Sequence, residues 1–138
     1  NTRALLLWMR GRVHFTRTGR MDVIDDCGEI FQPFRKVTVE RTNGQPEQPD
    51  AIFQIRFRFK NLSPTANRML SLIPIPMIIA QPGFRSKTWL LGQQTGDFIG
   101  LYEFDTIADA EAYWHSLPLR IMRMRAVPDS LTHNIRKR

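Results

Sequence analysis

The strongest pattern in the chain is an alternation of apolar and polar residues over AIFQIRFRFK, residues 51–60. The apolar side chains from Phe53 to Phe59 fall on one side of an extended chain, and Arg56 and Arg58 fall on the other. Successive side chains of a strand point to opposite faces of a sheet, so this alternation predicts a strand with one buried face.

Other segments also predict strands. Residues 84–91 and 98–104 are rich in β-branched and aromatic residues, and residues 92–97 between them can adopt turn conformations. Together they predict a β-hairpin. Residues 131–135 alternate apolar with polar side chains and predict a last strand, whereas residues 34–41 alternate weakly and predict a short one.

A first helix is predicted over residues 61–73, where apolar residues recur at helical spacing. Ser63 can cap it, and Pro64 suits the first helical position because no hydrogen bond is lost there. Pro74 and Pro76 should end the regular helix. The apolar segment that follows is expected to be a loop covered by other parts of the protein.

A second helix is predicted over residues 105–117, with Asp105 or Thr106 as its cap. Its expected apolar stripe consists of Ile107, Ala110, Trp114 and Leu117. Pro118 then opens a shorter helical segment over residues 119–126.

The order strand, helix, strand, strand, helix, strand predicts an α+β fold of the ferredoxin-like βαββαβ type. We expect a four-stranded antiparallel sheet with both helices on one face, formed by residues 51–138. Residues 1–50 would form an N-terminal extension. It ends in a linker over residues 41–50, where Asn43-Gly44 and two prolines interrupt both periodicities.

The N-terminal segment combines apolar and basic residues. ALLLWM, residues 4–9, precedes several arginines, and no acidic residue occurs before Asp22. Residues 4–20 therefore predict a basic amphipathic helix packed on its own domain or on a partner. The alternatives are a peripheral membrane contact and the remainder of a hydrophobic segment. No apolar run reaches the about 20 residues that a spanning helix needs.

Composition narrows the choice of partners. The chain has 138 residues and a formal net charge of +7, which suits one basic globular domain. Residues 118–138 hold 6 Lys/Arg against 1 Asp/Glu, whereas residues 61–117 hold 3 against 5. RNA-recognition modules share the element order, but the rings of residues 98–104 alternate in the opposite phase from theirs. Nucleic acid is therefore not the expected partner.

Cofactors and disulfides are not expected either. The single cysteine, Cys27, excludes an internal disulfide and favours a reducing, cytoplasmic location. His14, His115 and His133 lack the spacing of metal ligands, so no metal site is predicted. No glycine pattern matches a dinucleotide or P-loop fingerprint.

Residues 82–114 resemble the dimeric α+β barrel superfamily, in particular its small, monooxygenase-like and largely uncharacterised branch. The features that carry the resemblance are Pro82-Gly83, Lys87 and Trp89, the Thr95-Gly96 turn, Gly100, Tyr102, Phe104 and the helix ending in Tyr113-Trp114. The resemblance implies a homodimer whose sheets pack face to face, with a pocket between each sheet and its helices. It also implies a cofactor-independent monooxygenase-like enzyme, or a binder of a hydrophobic or aromatic small molecule. The asparagine of haem-degrading members is absent from the first strand.

Large rings with few polar groups suit either a planar apolar ligand or an ordinary core. The expected pocket lining is Phe57, Phe59, Met69, Ile73, Tyr102, Phe104 and Trp114. Tyr102 and His133 are the candidate catalytic residues, and His133 would accept a proton near neutral pH. A structural histidine is the alternative.

The second face of the sheet is expected to be charged. Arg56, Arg58, Lys87 and Glu103 would share it and form ion pairs within the sheet or between subunits, because unpaired buried charges are costly. An anion site is the alternative. The second hypothesis for function is a non-catalytic dimeric interaction or membrane-surface protein that docks through its basic N-terminal helix.

Overall fold

The structure is a computed structural model that describes residues 13–16, 23–24, 28–40, 44–58 and 75–138. Its strands are β1 Val13–Thr16, β2 Val23–Ile24, β3 Ile30–Val39, β4 Ala51–Phe57, β5 Phe84–Gly92, β6 Phe98–Phe104 and β7 Thr132–Lys137. Its helices are α1 Ile75–Ile79, α2 Ile107–Trp114 and α3 Leu117–Arg125. In this part of the chain the strands form one sheet of order β1-β3-β5-β6-β4-β7, with β2 also paired to β3.

The predicted strands lie together at one end of this sheet. β5, β6, β4 and β7 are neighbours in that order, and each pair is antiparallel. β5 and β6 form the predicted hairpin, whose turn is closed by the Gly92 amide donating to the Asp97 carbonyl at 2.8 Å. The chain is thus an α+β protein, consistent with a ferredoxin-like fold.

The sheet is larger than the four-stranded sheet that the sequence predicts. β3 is ten residues long and pairs with β5 from Phe31–Gly92 to Thr38–Ser86. The short strand predicted over residues 34–41 is therefore confirmed but longer. Pro33 and the charged residues that follow it weaken the alternation, and the register shifts between Pro33 and Arg35. Part of the segment before residue 50 thus shares the sheet with the rest.

The N-terminal helix predicted over residues 4–20 does not run through residues 13–16. That segment is β1, which pairs with β3 from Val13–Val39 to Thr16–Lys36. His14 on this strand contacts Glu40, with its Nε2 lying 2.6 Å from Glu40 Oε1. The remainder of the predicted helix lies outside the described residues.

α2 confirms the second predicted helix, but not its apolar stripe. The Thr106 hydroxyl accepts a hydrogen bond from the Asp109 amide at 3.1 Å and caps the helix as predicted. Ala110 and Tyr113 face the core, whereas Ile107 is 38% exposed and Leu117 60% exposed. The buried face of α2 therefore includes Tyr113 and not Ile107, because the face that packs against the sheet is the one that is buried. α3 confirms the shorter helical segment.

The apolar segment after Pro74 forms a short helix, α1, and not the expected loop. Ile75, Ile78 and Ile79 of α1 are buried. Pro76 lies in the first turn, where its missing N–H is tolerated. The helix predicted over residues 61–73 lies outside the described residues. No helix in the described part of the chain is long and apolar enough to cross a membrane.

Gly83, which precedes β5, should not tolerate a side chain. Its φ is +75°, and an added Cβ would lie 2.2 Å from Asp109 Oδ2. Gly83→Ala should therefore lower the free energy of unfolding by more than the about 1–2 kcal/mol of a left-handed conformation alone. The measurement is denaturant unfolding.

Gly44→Ala is the matched control, because Gly44 has a φ of +89° but nothing within 4 Å of an added Cβ. It should lose only the conformational part. Equal losses in the two variants would show that the contact with Asp109 carries no cost.

Candidate functional site

The face of the sheet covered by α2 carries a cluster of aromatic rings. β4 and β6 place Phe53 opposite Tyr102, and their stacked ring centroids lie 5.3 Å apart. Tyr113 of α2 packs edge-on against Phe53 at 5.7 Å. Phe84 and Phe104 extend the cluster along the sheet. These side chains are fully buried, so the cluster is the centre of the hydrophobic core.

Two hydroxyl groups lie inside this cluster. Tyr113 donates a hydrogen bond from its hydroxyl to that of Tyr102 at 3.0 Å, and both residues are buried. Burial raises the pKa of Tyr102, although the hydrogen bond from Tyr113 opposes the shift. Burial and the neighbouring Tyr102 also raise the pKa of Tyr113. Both phenols therefore stay protonated beyond the pH at which an exposed tyrosine ionises.

The tyrosine pair makes a direct prediction, because the chain contains 2 tyrosines and both belong to it. In the folded protein, tyrosinate absorbance should not develop at about pH 10, where a free tyrosine ionises. It should appear only with alkaline unfolding, since raised pKa values mean that stability is lost as the pH rises past the unfolded value. A parallel titration in denaturant is the control. Ordinary titration of the native protein would contradict the buried pair.

Lys87 projects into the same cluster. Its Nζ lies 4.4 Å from the centroid of the Trp89 ring and 4.7 Å from that of the Tyr102 ring. The residue is 2% exposed. The expectation that Lys87 shares the charged face with Arg56 is therefore wrong. A register irregularity between Phe84 and Ser86 shifts the alternation of β5, so Lys87 pairs with Tyr102 on the aromatic face.

The environment of Lys87 opposes its positive charge. Burial lowers the pKa of its amine well below the ordinary value, and the positive charge of Arg35 lowers it further. The rings offer only partial compensation, because a desolvated cation–π contact contributes about 2 kcal/mol and burial of an ion costs several. Among the described residues, none forms an ion pair or hydrogen bond with this amine. A strongly perturbed, buried group of this kind is a candidate for function.

The indole of Trp89 adds a second polar group. Its Nε1 is buried and has no hydrogen-bond partner in the described part of the chain. Gly100 lies opposite Trp89 on β6. A Cβ at Gly100 would meet the Tyr102 ring at 2.9 Å and Lys87 Cε at 3.3 Å. The glycine therefore makes room for the lysine stem among the rings.

His133 lies apart from Lys87, at the exposed edge of the sheet. Its ring stacks on Trp114 at 3.6 Å, and Arg123 lies over the same Trp114 ring at 4.4 Å. Phe53 contacts both His133 and Tyr102, so it separates the two candidate catalytic residues. Partial burial and the charge of Arg123 lower the pKa of His133. These contacts favour the structural interpretation of this histidine.

The predicted pocket residues are only partly brought together. Phe57, Tyr102 and Phe104 are buried on the aromatic face. Trp114 is half-buried and stacks on His133 on the far side of Phe53. The other predicted lining residues, Phe59, Met69 and Ile73, lie outside the described residues.

The opposite face of the sheet carries an ion-pair network. Arg56 donates to Glu29 Oε1 at 2.9 Å and to Asp97 Oδ2 at 3.0 Å, and Arg58 donates to Asp97 Oδ1 at 2.8 Å. Glu29 also accepts hydrogen bonds from the Thr95 amide and hydroxyl. This network ties the start of β3 to the hairpin turn.

Glu103, also placed on this face by the sequence, contacts Arg138 and accepts a hydrogen bond from the Ser86 hydroxyl at 2.7 Å. The four charged residues of the prediction are thus divided between the two faces. In the described residues, no group of three or more His, Cys, Asp or Glu side chains could hold a metal ion.

Sequence reasoning placed Lys87 in an ion-pair or anion site on the other face of the sheet, and it did not identify Trp89 as its neighbour or Tyr113 as a core residue. The signal available was Gly100 in the middle of a strand, which often marks close approach of another group.

Comparison with known proteins shows a likeness in fold. No protein-family model and no curated protein matches the chain. The fold is similar to that of an anthrone oxidase-like protein. The superposition with its crystal structure has a TM-score of 0.55 and 13% sequence identity, and it covers 79% of this chain and 56% of that chain. At this identity the likeness concerns the fold alone.

Proposed function

We propose that this protein binds a hydrophobic aromatic small molecule on the aromatic face of its sheet and oxidises it as a cofactor-independent monooxygenase-like enzyme. The observation that carries the proposal is the buried Lys87 amine, held among rings without an acidic partner in the described residues. The rings suit a planar ligand, and the perturbed amine suits proton transfer.

The chemistry follows from the lowered pKa of Lys87. A larger fraction of this amine is neutral near pH 7 than of an ordinary lysine, so it can accept a proton from an acidic C–H or O–H group. The carbanion formed from an activated CH₂ group supplies the electrons that reduce dioxygen. In balance, R₂CH₂ and O₂ give R₂C=O and H₂O, with a substrate peroxide that loses water. The substrate is thus both the reductant and the group that is oxidised.

The similar solved structure supports this reaction class, because it is that of an anthrone oxidase-like protein. An anthrone is an aryl ketone with an acidic CH₂ group between two rings. Its flat, apolar shape matches the ring-lined face of the sheet. Lys87 would remove the CH₂ proton when the aromatic face opens to admit the ligand, because Phe53 and Tyr102 are fully buried in the ligand-free protein.

The test is oxygen consumption by the purified protein with a hydroxylated anthrone, with quinone formation followed by absorbance. Wild type should consume one O₂ per quinone formed, and Lys87→Met should be slower by at least about a hundredfold, as expected for the loss of a general base. Lys137→Met is the matched control, because Lys137 is exposed on β7. Binding without oxygen consumption would instead indicate a binding protein. The absence of both binding and oxygen consumption would contradict the proposal.

We further propose that the protein is a homodimer that pairs through the charged face of the sheet. Support comes from Leu101 on that face, which is half-buried and lies beside the buried cluster of Phe31, Leu90 and Ile99. A second sheet packed there would cover Leu101. Analytical ultracentrifugation should give twice the mass of one chain, and Leu101→Arg should shift it toward the monomer. A wild-type monomer at all concentrations would contradict dimerisation.

A further inference from the structure

We infer that α3 docks on anionic membrane surfaces, with an outward-facing row of apolar side chains inserted among the lipid acyl chains and arginines bound to the phosphate groups. The segment is LPLRIMRMR, residues 117–125. It is a different segment from residues 4–20, for which the sequence left a membrane contact as an alternative. The inference goes beyond the proposed oxidation and does not depend on it.

α3 carries apolar side chains on its exposed side as well as on its buried side. The buried side consists of Pro118, Leu119 and Met122. Because an α-helix turns once in about 3.6 residues, Leu117, Ile121 and Met124 lie together on the opposite side. Leu117 is 60% exposed and Met124 is 76% exposed, whereas Ile121 is half-buried. Single exposed apolar residues are common, but these three form a continuous row, which we call the outer stripe.

Arginines flank the outer stripe on both sides. Helical spacing places Arg120 along one side of it and Arg125 along the other, and both are exposed. Residues 117–125 contain no Asp or Glu, and residues 118–138 hold 6 Lys/Arg against the single acid Asp129. In the described part of the chain, neither of the two flanking guanidinium groups takes part in an ion pair. The surface around the stripe is therefore complementary to negative charge.

Arg123 has a different position, because it holds α3 to the rest of the fold. Its guanidinium lies 4.4 Å from the centroid of the Trp114 ring and donates to the Trp114 carbonyl at 2.8 Å. These contacts, together with the buried side of α3, fix the direction in which the outer stripe points. The stripe is thus a feature of the folded protein, and docking requires no rearrangement of the helix.

The shape of this surface favours a lipid bilayer over a protein partner. The stripe is the convex outer side of a helix, and apolar residues bordered by basic ones are typical of helices that lie in the plane of a membrane interface. Long arginine side chains can reach phosphate groups while their stems stay beside apolar atoms. A protein partner would need a groove with acidic rims of matching shape, whereas a fluid bilayer adapts to the helix.

The expected binding is reversible and depends on both parts of the surface. Each arginine near an anionic surface contributes about a fivefold factor in affinity. Burial of an exposed leucine or methionine side chain contributes on the order of a tenfold factor. Salt screens the first contribution and leaves the second in place. The two contributions can therefore be measured separately.

The test is co-flotation of the full chain with vesicles of phosphatidylcholine alone and of phosphatidylcholine and phosphatidylserine in equal parts. Wild type should bind the anionic vesicles at low ionic strength and lose most of this binding in high salt. The double variant Leu117→Gln and Met124→Gln should bind about a hundredfold more weakly. The double variant Arg120→Gln and Arg125→Gln should bind about 25-fold more weakly.

The matched control is Arg136→Gln, because Arg136 is exposed on the face of the sheet that carries Arg56. It removes one positive charge away from α3 and should leave binding nearly unchanged. All the substituted side chains are exposed, so each variant should fold, which circular dichroism checks. The variants should also leave any oxidation of an anthrone unaffected.

Four outcomes would overturn the inference. Wild type that ignores anionic vesicles has no such surface. Binding that persists in both double variants would assign the contact to another segment, and equal losses in Arg136→Gln and in the arginine variant would assign it to net charge. Binding of polyglutamate in solution without binding of vesicles would assign the surface to an acidic protein segment.

Discussion

Lys87→Met should make the ligand-free protein more stable, by about 1–4 kcal/mol near neutral pH, although it removes a residue that we propose is essential to function. Methionine has nearly the same length as the lysine stem, so it can fill the space beside Trp89, Tyr102 and Gly100. It has no charge to desolvate. Denaturant unfolding at neutral pH measures the difference.

The pH dependence of stability is an independent check on the predicted effect of Lys87→Met. The pKa of Lys87 is lowered in the folded protein, whereas the unfolded chain has the ordinary value of 10.5. Between these two values the unfolded state binds more protons, so the stability of wild type rises with pH across this window. Below the folded-state pKa of Lys87, the buried ammonium destabilises the folded protein by its full amount. The advantage of Lys87→Met should therefore shrink as the pH approaches 10.5.

Tyr102 and Tyr113 act in the opposite direction above about pH 10, because their raised pKa values mean that stability is lost there. Both proteins contain this pair, so the difference between them isolates Lys87. Lys137→Met again serves as the exposed control. A loss of stability in Lys87→Met would indicate that the ammonium has a stabilising partner, and it would count against the proposed site.

Arg56→Met should destabilise the protein by about 2–3 kcal/mol, somewhat less than the about 3–5 kcal/mol seen when a fully buried ion pair is broken. The reduction reflects the 27% exposure of the Arg56 side chain, against 7% for Glu29 and 11% for Asp97. Without the guanidinium, the nearly buried carboxylates of Glu29 and Asp97 lose an ion-pair partner, although Arg58 still pairs with Asp97. Denaturant unfolding measures the loss.

The matched control is Arg136→Met, because Arg136 lies exposed on the same face and bonds to Asn134. It should change stability by no more than about 0.5 kcal/mol. A double variant that also carries Glu29→Gln should lose less than the sum of the two single losses, because the partners interact. Strict additivity would show that the observed contact between Arg56 and Glu29 contributes nothing.

The hairpin is an element that the local sequence pattern predicts correctly. Residues 84–91 and 98–104 were predicted as its strands, and the structure places them at Phe84–Gly92 and Phe98–Phe104. β-Branched and aromatic residues favour strands, and glycines favour turns, so the local sequence identified both parts of the hairpin. The same reasoning failed for residues 13–16, where an apolar and basic composition suggested a helix. Pairing with β3 forms a strand there.

The candidate site depends on contacts that sequence periodicity does not contain. The face on which Lys87 lies was decided by a register irregularity next to Ser86, which reverses the alternation of β5 beyond it. A shift of one residue moves every later side chain to the other face. Similarly, the Thr95 amide bonds to Glu29, 66 residues earlier in the chain. No local window holds both partners.

By itself, the sequence determined the identity and order of the strands from residue 51 onward, the cap of α2, and the aromatic character of one face of β4. These depend on backbone preferences and side-chain alternation within a few neighbouring residues. Only the tertiary structure decided that β3 extends the sheet, that Tyr113 and not Ile107 faces the core, and that Lys87 lies among rings. Each of these depends on which distant surface packs against the element. Apolar side chains gain the free energy of burial only where that surface covers them.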